Sequence, residues 1–262
     1  MAHRLTISLD GIHREAIKGL NRSTVFLGLG VNAADNKELT DYHLINDTNF
    51  QLLPDNVPSK VLGDWKKEFR KWIVACGFRE LVDHLCLFLD RLHVTCSLID
   101  RSNTITKNRA FEKRGLKDKI SILDKKFAVQ CEFDEQLSTF YAVRNCFAHR
   151  LGRVGKIDLE RENPFELRFM RFNSIFTTEF GIENTIPDFF DPNASSYIIH
   201  ENGTVGLKWV EKRYTYKTGD WIMLTPKDLT ELLYFARICC DNFTKSVVNY
   251  AKSKGIEIKN KS

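Results

Sequence analysis

Three residues near the middle of the chain, Arg144, Asn145 and His149, have side chains that can act on a phosphate group. A histidine with a pKa near neutrality can take a proton from a ribose 2′-hydroxyl or give one to a leaving 5′-oxygen. Arginine is always charged, and its planar fork can hold a phosphate and stabilise the negative charge of the transition state. The asparagine amide can bind the same phosphate or orient the imidazole. These residue types fit acid–base cleavage of RNA without a metal ion.

The helix predicted to carry these residues, from Asp134 to Leu151, has two sides of different character. Its apolar residues fall within about 60° of one another on an ideal helix, which predicts a core face. That face holds Phe133, Phe140, Val143, Phe147 and Leu151. The opposite side holds Ser138, Ala142, Asn145 and His149, of which all but the last are small. Small side chains let another helix approach closely, so we predict that this side is a contact surface.

Arg144 lies at the margin of the core face, about 140° around an ideal helix from His149. The two side chains therefore do not converge within one straight helix. They can meet if the arginine swings across, if the helix loosens near Gly152, or if two copies of the helix face each other in a dimer. A half-buried guanidinium also needs a partner, and Glu80 or Asp83 on the preceding long helix is the natural candidate.

The six residues from Arg144 to His149 have the form R-N-x-x-x-H, which resembles the R-x(4–6)-H signature of the HEPN superfamily. In that family the position after the arginine is usually polar, and the motif lies toward the end of a late helix of an all-α bundle. The resemblance implies a metal-independent endoribonuclease that acts as a homodimer and leaves a 2′,3′-cyclic phosphate. It assigns catalysis to Arg144, Asn145 and His149, with no cofactor and no metal.

Proteins that carry this signature often act as toxins or as defence effectors against phage. The resemblance therefore also implies an antitoxin or regulatory protein as a candidate partner. The superfamily includes non-catalytic members as well, so the alternative is an RNA-binding or dimerisation module built on the same bundle.

Positive charge is concentrated just before the motif helix. Residues 101–130 contain nine Lys or Arg against three acids. Such a concentration suits a polyanion such as RNA, although a solvated helix face gives the same pattern. We predict that Lys113, Arg114, Lys117 and Arg150 contact RNA.

The chain divides into four parts by pattern, and the predicted class is mainly α (α+β): a HEPN-like helical bundle with a small antiparallel β-hairpin before the last helix. Residues 1–60 are weakly patterned, with one short helix at most. Residues 61–155 form the HEPN-like core, with one long helix or two in series, a basic helix over about 109–129 and the motif helix. Residues 156–225 are rich in β-structure, and residues 226–262 complete the bundle and end in a basic tail.

Particular residues predict where these elements begin, end or turn. Asp134 is expected to cap the motif helix and Gly152 to end it. Asn202-Gly203 predicts a hairpin turn between the runs SSYIIH and TVGLKWVEKRYTY. Thr225 is expected to cap the last helix, with Pro226 in its first turn.

Several features indicate a protein of the reducing cytoplasm. The N-terminal stretch has no apolar run of signal-peptide length, and no membrane association is expected. Seven cysteines, an odd number without a C-x-x-C pair, suggest buried free thiols. His84 and His93 are too far apart for helical metal ligation and are expected at the surface or beside the site. Tyr214 and Tyr216 share one strand face and are expected to pack against a helix rather than to stack on RNA.

Overall fold

A computed structural model describes residues 7–36, 57–100, 105–185 and 202–256 of the protein. Within these ranges it contains seven helices and three strands, so the predicted mainly helical class with a small antiparallel sheet is confirmed. The helices are α1 (Leu9–Asp35), α2 (Ser59–Ile99), α3 (Ile105–Glu112), α4 (Leu116–Phe127), α5 (Asp134–Arg150), α6 (Lys156–Arg161) and α7 (Pro226–Ser253). The strands are β1 (Phe165–Thr178), β2 (Glu183–Thr185) and β3 (Gly203–Tyr216).

Helix α1 overturns the prediction of at most one short helix in the first 60 residues, because it is 27 residues long. Its contact face contains glycines, which weaken the apolar pattern and resemble loop residues in a sequence. A Cβ on Gly19 would lie 2.6 Å from Nδ1 of His84, and a Cβ on Gly30 would lie 2.6 Å from the Ile73 side chain. The glycines are therefore points of close approach between α1 and α2.

Helix α2 is a single helix of 41 residues rather than two in series, about 60 Å long at the usual rise per residue. Its middle contributes to a core of aromatic side chains shared with α5 and α7. The ring of Phe78 lies 5.4 Å from the rings of Phe140 and Phe147, and Phe140 lies 5.7 Å from Phe235 of α7. Helix α7 thus packs on the same core as the motif helix.

The predicted basic helix over 109–129 is wrong as a single element, since the chain forms α3 and α4 with a break before Leu116. Gly115 stands at the break with extended backbone, and the ring of Tyr141 lies where a side chain on Gly115 would be. The helix is also not simply a solvated cationic face. Lys119 is buried and forms an ion pair with Asp90 of α2.

The bounds of α5 agree with the prediction to within one residue, but two details were wrong. Asp134 is the first residue of the helix and not its cap, a position held by Phe133 without a side-chain hydrogen bond. Leu151 is not part of the core face, since its backbone is left-handed and its side chain is half exposed. The other four predicted core residues are buried, and Gly152, with φ of +90°, follows the helix end as expected.

The sheet has the order β2-β1-β3 with antiparallel pairing. The partner of β3 among the described strands is β1, in a register from Phe165 opposite Tyr216 to Thr178 opposite Gly203. The run SSYIIH, which was predicted to form a hairpin with β3, lies outside the described residues. The edge of β1 next to α5 is partly covered, because Oγ1 of Thr139 accepts a hydrogen bond from the Arg168 amide at 3.0 Å.

The junction between the sheet and α7 agrees with the sequence. Oγ1 of Thr225 accepts a hydrogen bond from the Asp228 amide at 3.1 Å, and Asp228 accepts one from the Thr225 amide at 2.8 Å, which makes a capping box with Pro226 in the first turn. The Tyr214 hydroxyl donates to the same aspartate at 2.8 Å, and Tyr216 is buried. The tyrosine face of β3 therefore packs on the helices, as predicted.

Candidate functional site

The guanidinium of Arg144 is held by Asp83 of α2. Its Nη2 donates to Oδ1 of Asp83 at 3.1 Å and to Oδ2 at 3.4 Å, and its Nε donates to Oδ1 at 3.3 Å. Nη1 is directed to Oδ1 of Asn145 at 3.4 Å. Of the two predicted partners, Asp83 therefore holds the arginine, whereas Glu80 lies beside His84, with 3.2 Å between Oε1 and Nε2.

His149 lies in the last turn of α5 with its side chain exposed. Within the described residues it forms no hydrogen bond and no ion pair. The helix does not loosen before it, since the amide of Leu151 still bonds to the Phe147 carbonyl at 3.2 Å. Because Arg144 is drawn toward α2, and His149 lies about 7.5 Å farther along the helix axis, the two side chains do not converge within one chain.

Two of the predicted RNA-binding residues, Lys113 and Arg114, lie exposed in the turn between α3 and α4. This turn rests on the motif helix: a Cβ on Gly115 would lie 2.4 Å from Cζ of Tyr141. Tyr141 is three residues before Arg144, and so it lies nearly one helical turn away on a neighbouring part of the same face. The structure therefore brings the basic turn next to the motif.

The other two predicted RNA-binding residues are engaged in ion pairs. Lys117 is exposed and pairs with Glu162 at 2.9 Å. Arg150 pairs with the buried Asp158, through Nε to Oδ2 at 2.9 Å and through Nη2 to Oδ1. Asp158 also accepts a hydrogen bond from the Gly155 amide at 2.8 Å. The charge of Arg150 is thus neutralised by Asp158, and this ion pair connects the end of α5 to α6.

Sequence reasoning named Asp83 as a partner of Arg144 but missed the polar side chains that lie with it beneath the motif. Asp83, Cys86 and Asp90 recur at helical spacing on α2 and face α4 and α5, where Lys119 and Arg144 meet them. Burial raises the pKa of the Asp90 carboxyl, and the hydrogen bond from Lys119 opposes that rise. Burial also raises the pKa of the Cys86 thiol to about 11. Cys86 is therefore protonated at neutral pH and is not a thiolate nucleophile.

His93 does not lie at the surface, which corrects that part of the prediction for this residue. His93 is buried, and its ring stacks on Phe111 with 4.0 Å between centroids. The His84 side chain is 17% exposed and packs on Gly19. In the described parts of the chain, no group of three or more His, Cys, Asp or Glu is arranged to hold a metal ion.

The cysteines are free thiols, and five of the seven are buried. Burial raises the pKa of the Cys146 thiol, which lies inside the motif, to about 11. The Cys146 side chain is therefore part of the hydrophobic core and not of the candidate site. No helix within the described ranges has a stretch long and apolar enough to cross a membrane.

Comparison of the chain with models of known protein families, with curated proteins and with solved structures gave no match in any of the three. The likeness to the HEPN superfamily therefore depends on the R-N-x-x-x-H spacing and on the position of Arg144 to His149 at the end of α5.

Proposed function

We propose that the protein is a metal-independent endoribonuclease of HEPN type that cleaves RNA to a 2′,3′-cyclic phosphate. The observation that carries the proposal is the arrangement on α5. An arginine oriented by a carboxylate and an exposed histidine stand five residues apart on the helix, next to the basic turn of Lys113 and Arg114. The seven free thiols support a reducing compartment, and we propose the cytoplasm.

Arg144 is suited to bind the phosphate because Asp83 fixes it without using all of its donors. A guanidinium has five N–H groups. Asp83 takes those of Nε and Nη2, and Asn145 faces Nη1. At least one Nη1 hydrogen is left for a phosphate oxygen, and the plane of the fork is held by α2. In this scheme Asp83 positions the arginine, and Asn145 offers its amide to the same phosphate.

A second copy of the chain supplies the partner histidine in our scheme. Two α5 helices that cross antiparallel, centred between residues 146 and 147, would bring Arg144 of each copy to the height of His149 of the other. The half-buried side of small residues, Ser138, Ala142 and Asn145, allows the close approach that this needs. The proposed homodimer thus gives each active site an arginine from one copy and a histidine from the other.

The reaction then balances without a metal ion. A neutral His149 takes the proton of the ribose 2′-hydroxyl, and the oxygen attacks the adjacent phosphorus. Arg144 stabilises the added negative charge on the phosphoryl oxygens. The bond to the 5′-oxygen breaks, that oxygen takes a proton from water, and the protonated His149 gives its proton to the hydroxide that remains. The products are a 2′,3′-cyclic phosphate and a free 5′-hydroxyl.

The test compares wild type with His149→Ala and Arg144→Ala on total RNA in EDTA, with end-group analysis of the products. Arg161→Ala is the matched control, because Arg161 is an exposed arginine on α6 with no ion pair to a described residue. We expect EDTA-resistant cleavage that both motif variants lose and the control retains. Cleavage that needs a divalent ion, or that persists in both motif variants, would refute the proposal.

The second candidate is a non-catalytic RNA-binding module. It is favoured by one observation, namely that Arg144 and His149 do not converge within one chain while Lys113 and Arg114 are exposed. RNA binding without cleavage at any protein concentration would select it. A role as a toxin or phage-defence effector, with an antitoxin as partner, depends on the nuclease proposal. Any result that refutes the nuclease proposal also refutes this role.

A further inference from the structure

A groove separate from the motif runs between α1 and α2. Its cavity has a volume of about 500 Å³. Three cations stand along it, Lys18 and Arg22 from α1 and Arg91 from α2, and Glu15 is the one acid among its lining residues in the described chain. All three cations are exposed, and none forms an ion pair with a described residue. The groove is thus positively charged and open to an anionic ligand.

The floor of the groove is built by the close packing of α1 on α2. Gly19 leaves room for the ring of His84, whose Nδ1 lies where a Cβ would be. The Nε2 atom of His84 is buried and has no hydrogen-bond partner, although Oε1 of Glu80 lies 3.2 Å away in a poor direction for one. Apolar groups complete the floor and rim, including the buried Phe88 and the 59% exposed Leu87.

The groove and the motif lie on either side of the same helix. Asp83, which holds Arg144, and His84, which lines the groove, are consecutive residues of α2 and point about 100° apart. Leu87 and Glu80 lie between them on the outer face, where Glu80 is turned toward His84. A strand that passes Arg144 therefore needs to cross only one helix, about 10 Å wide, to reach the groove cations.

We propose that this groove binds the backbone of single-stranded RNA that flanks the bond cleaved at the motif. Lys18, Arg22 and Arg91 contact phosphates, and Leu87 offers an apolar surface to a base, the combination with which proteins hold single strands without reading sequence. The inference rests on the proposed ribonuclease function and extends it. It adds a second contact region made of residues outside the motif helix.

The test measures binding of a fluorescent single-stranded RNA of mixed sequence by anisotropy, in a His149→Ala background so that the probe stays intact. The variant Lys18→Gln/Arg22→Gln is compared with Lys217→Gln/Lys245→Gln, exposed lysines outside this groove. Removing two phosphate contacts reduces the slope of log K against log salt by about 1.4. We expect that reduction, with an affinity at least tenfold lower at low salt, only in the groove variant.

Unchanged affinity and salt slope in the groove variant would overturn the inference, as would an equal loss in the control. A greater loss for duplex RNA than for single strands would overturn the assignment to single strands. Both variants should unfold at the same temperature as the wild type, which shows that they are folded. Failure of the nuclease proposal is recognised separately, by a wild-type chain that does not cleave RNA in EDTA while the groove variant still loses affinity and salt slope in the binding comparison.

Discussion

Asp83 and Arg144 lie 61 positions apart in the chain and join the long helix α2 to the motif helix α5 through hydrogen bonds from both Nε and Nη2. The pair is partly open to solvent, with side-chain exposures of 47% for the aspartate and 27% for the arginine. An ion pair of this exposure contributes little to folding. Its value lies in fixing the direction of the guanidinium.

Asp83→Ala is expected to lower RNA cleavage by about tenfold to a hundredfold, since a misplaced arginine binds the transition state poorly, and to change the free energy of unfolding by less than about 1 kcal/mol. Cleavage rates and urea denaturation measure the two effects. Asp64→Ala is the control, because Asp64 forms an exposed pair with Lys67 on the same helix. A variant that loses stability and activity in proportion would argue against a positioning role.

Arg150→Met is expected to destabilise the protein by about 3 kcal/mol, because it leaves the buried carboxylate of Asp158 without its cation. Asp158 is only 5% exposed. Urea denaturation of this variant is compared with that of Lys117→Met, which breaks the exposed pair with Glu162 and should cost less than about 1 kcal/mol. Equal effects of the two substitutions would contradict the structural assignment of Arg150.

Gly77→Ala tests the close packing of α1 on α2. A Cβ at this position would lie 2.3 Å from Cδ2 of the buried Leu27, and we expect a destabilisation of about 1–3 kcal/mol. Gly63→Ala on the same helix meets nothing within 4 Å, and there alanine should stabilise by about 0.5–1 kcal/mol. The two free energies of unfolding should therefore change with opposite sign, and a shared sign would contradict the packing described.

Asp134 provides a pH test of the start of α5. Burial raises the pKa of its carboxyl to about 6, and its Oδ1 has no hydrogen-bond partner in the described structure. A carboxyl whose folded pKa lies above its unfolded value favours folding when protonated, and that contribution is lost as pH rises from about 4 through 6.

Asp134→Asn should therefore stabilise the protein at pH 7.5 by about 1–3 kcal/mol and make no difference below pH 4. Urea denaturation of both chains between pH 3.5 and 8 measures this. The exposed neighbour Glu135 supplies the control, Glu135→Gln, which should show no gain of that kind. A gain that is constant across the pH range would point to a cause other than titration.

Helices with a broad apolar face could be predicted from the sequence. Phe78, Phe140 and Phe235 each belong to an apolar series at helical spacing in their own helix, and all three lie in the core. The cap at Thr225 and the first-turn proline Pro226 are local features that a sequence displays. Helix α1 was missed because its packing depends on Gly19 and Gly30, which become intelligible only when the opposing His84 and Ile73 are known.

Some features of the candidate site could likewise be predicted from the sequence, and others could not. The spacing from Arg144 to His149 and the need for an acidic partner are visible in the sequence, and Asp83 meets that need. The ion pair between Asp158 and Arg150 was not visible, because it depends on how the chain turns after α5. The groove beside His84 forms because α1 packs next to α2. The spacing of residues within one helix does not show which other helix packs against it.

Helix α7 closes the core with Phe235 and Phe243, and Asp241 of this helix contacts His13 of α1 at 2.6 Å, across 228 positions of the chain. The bundle therefore closes only after α7 has been synthesised, and until then the aromatic side chains of α2 and α5 lack their covering helix. The motif is synthesised about a hundred residues earlier. A nascent chain thus carries its proposed catalytic residues well before it has the fold to use them, which delays any nuclease activity until synthesis has passed α7.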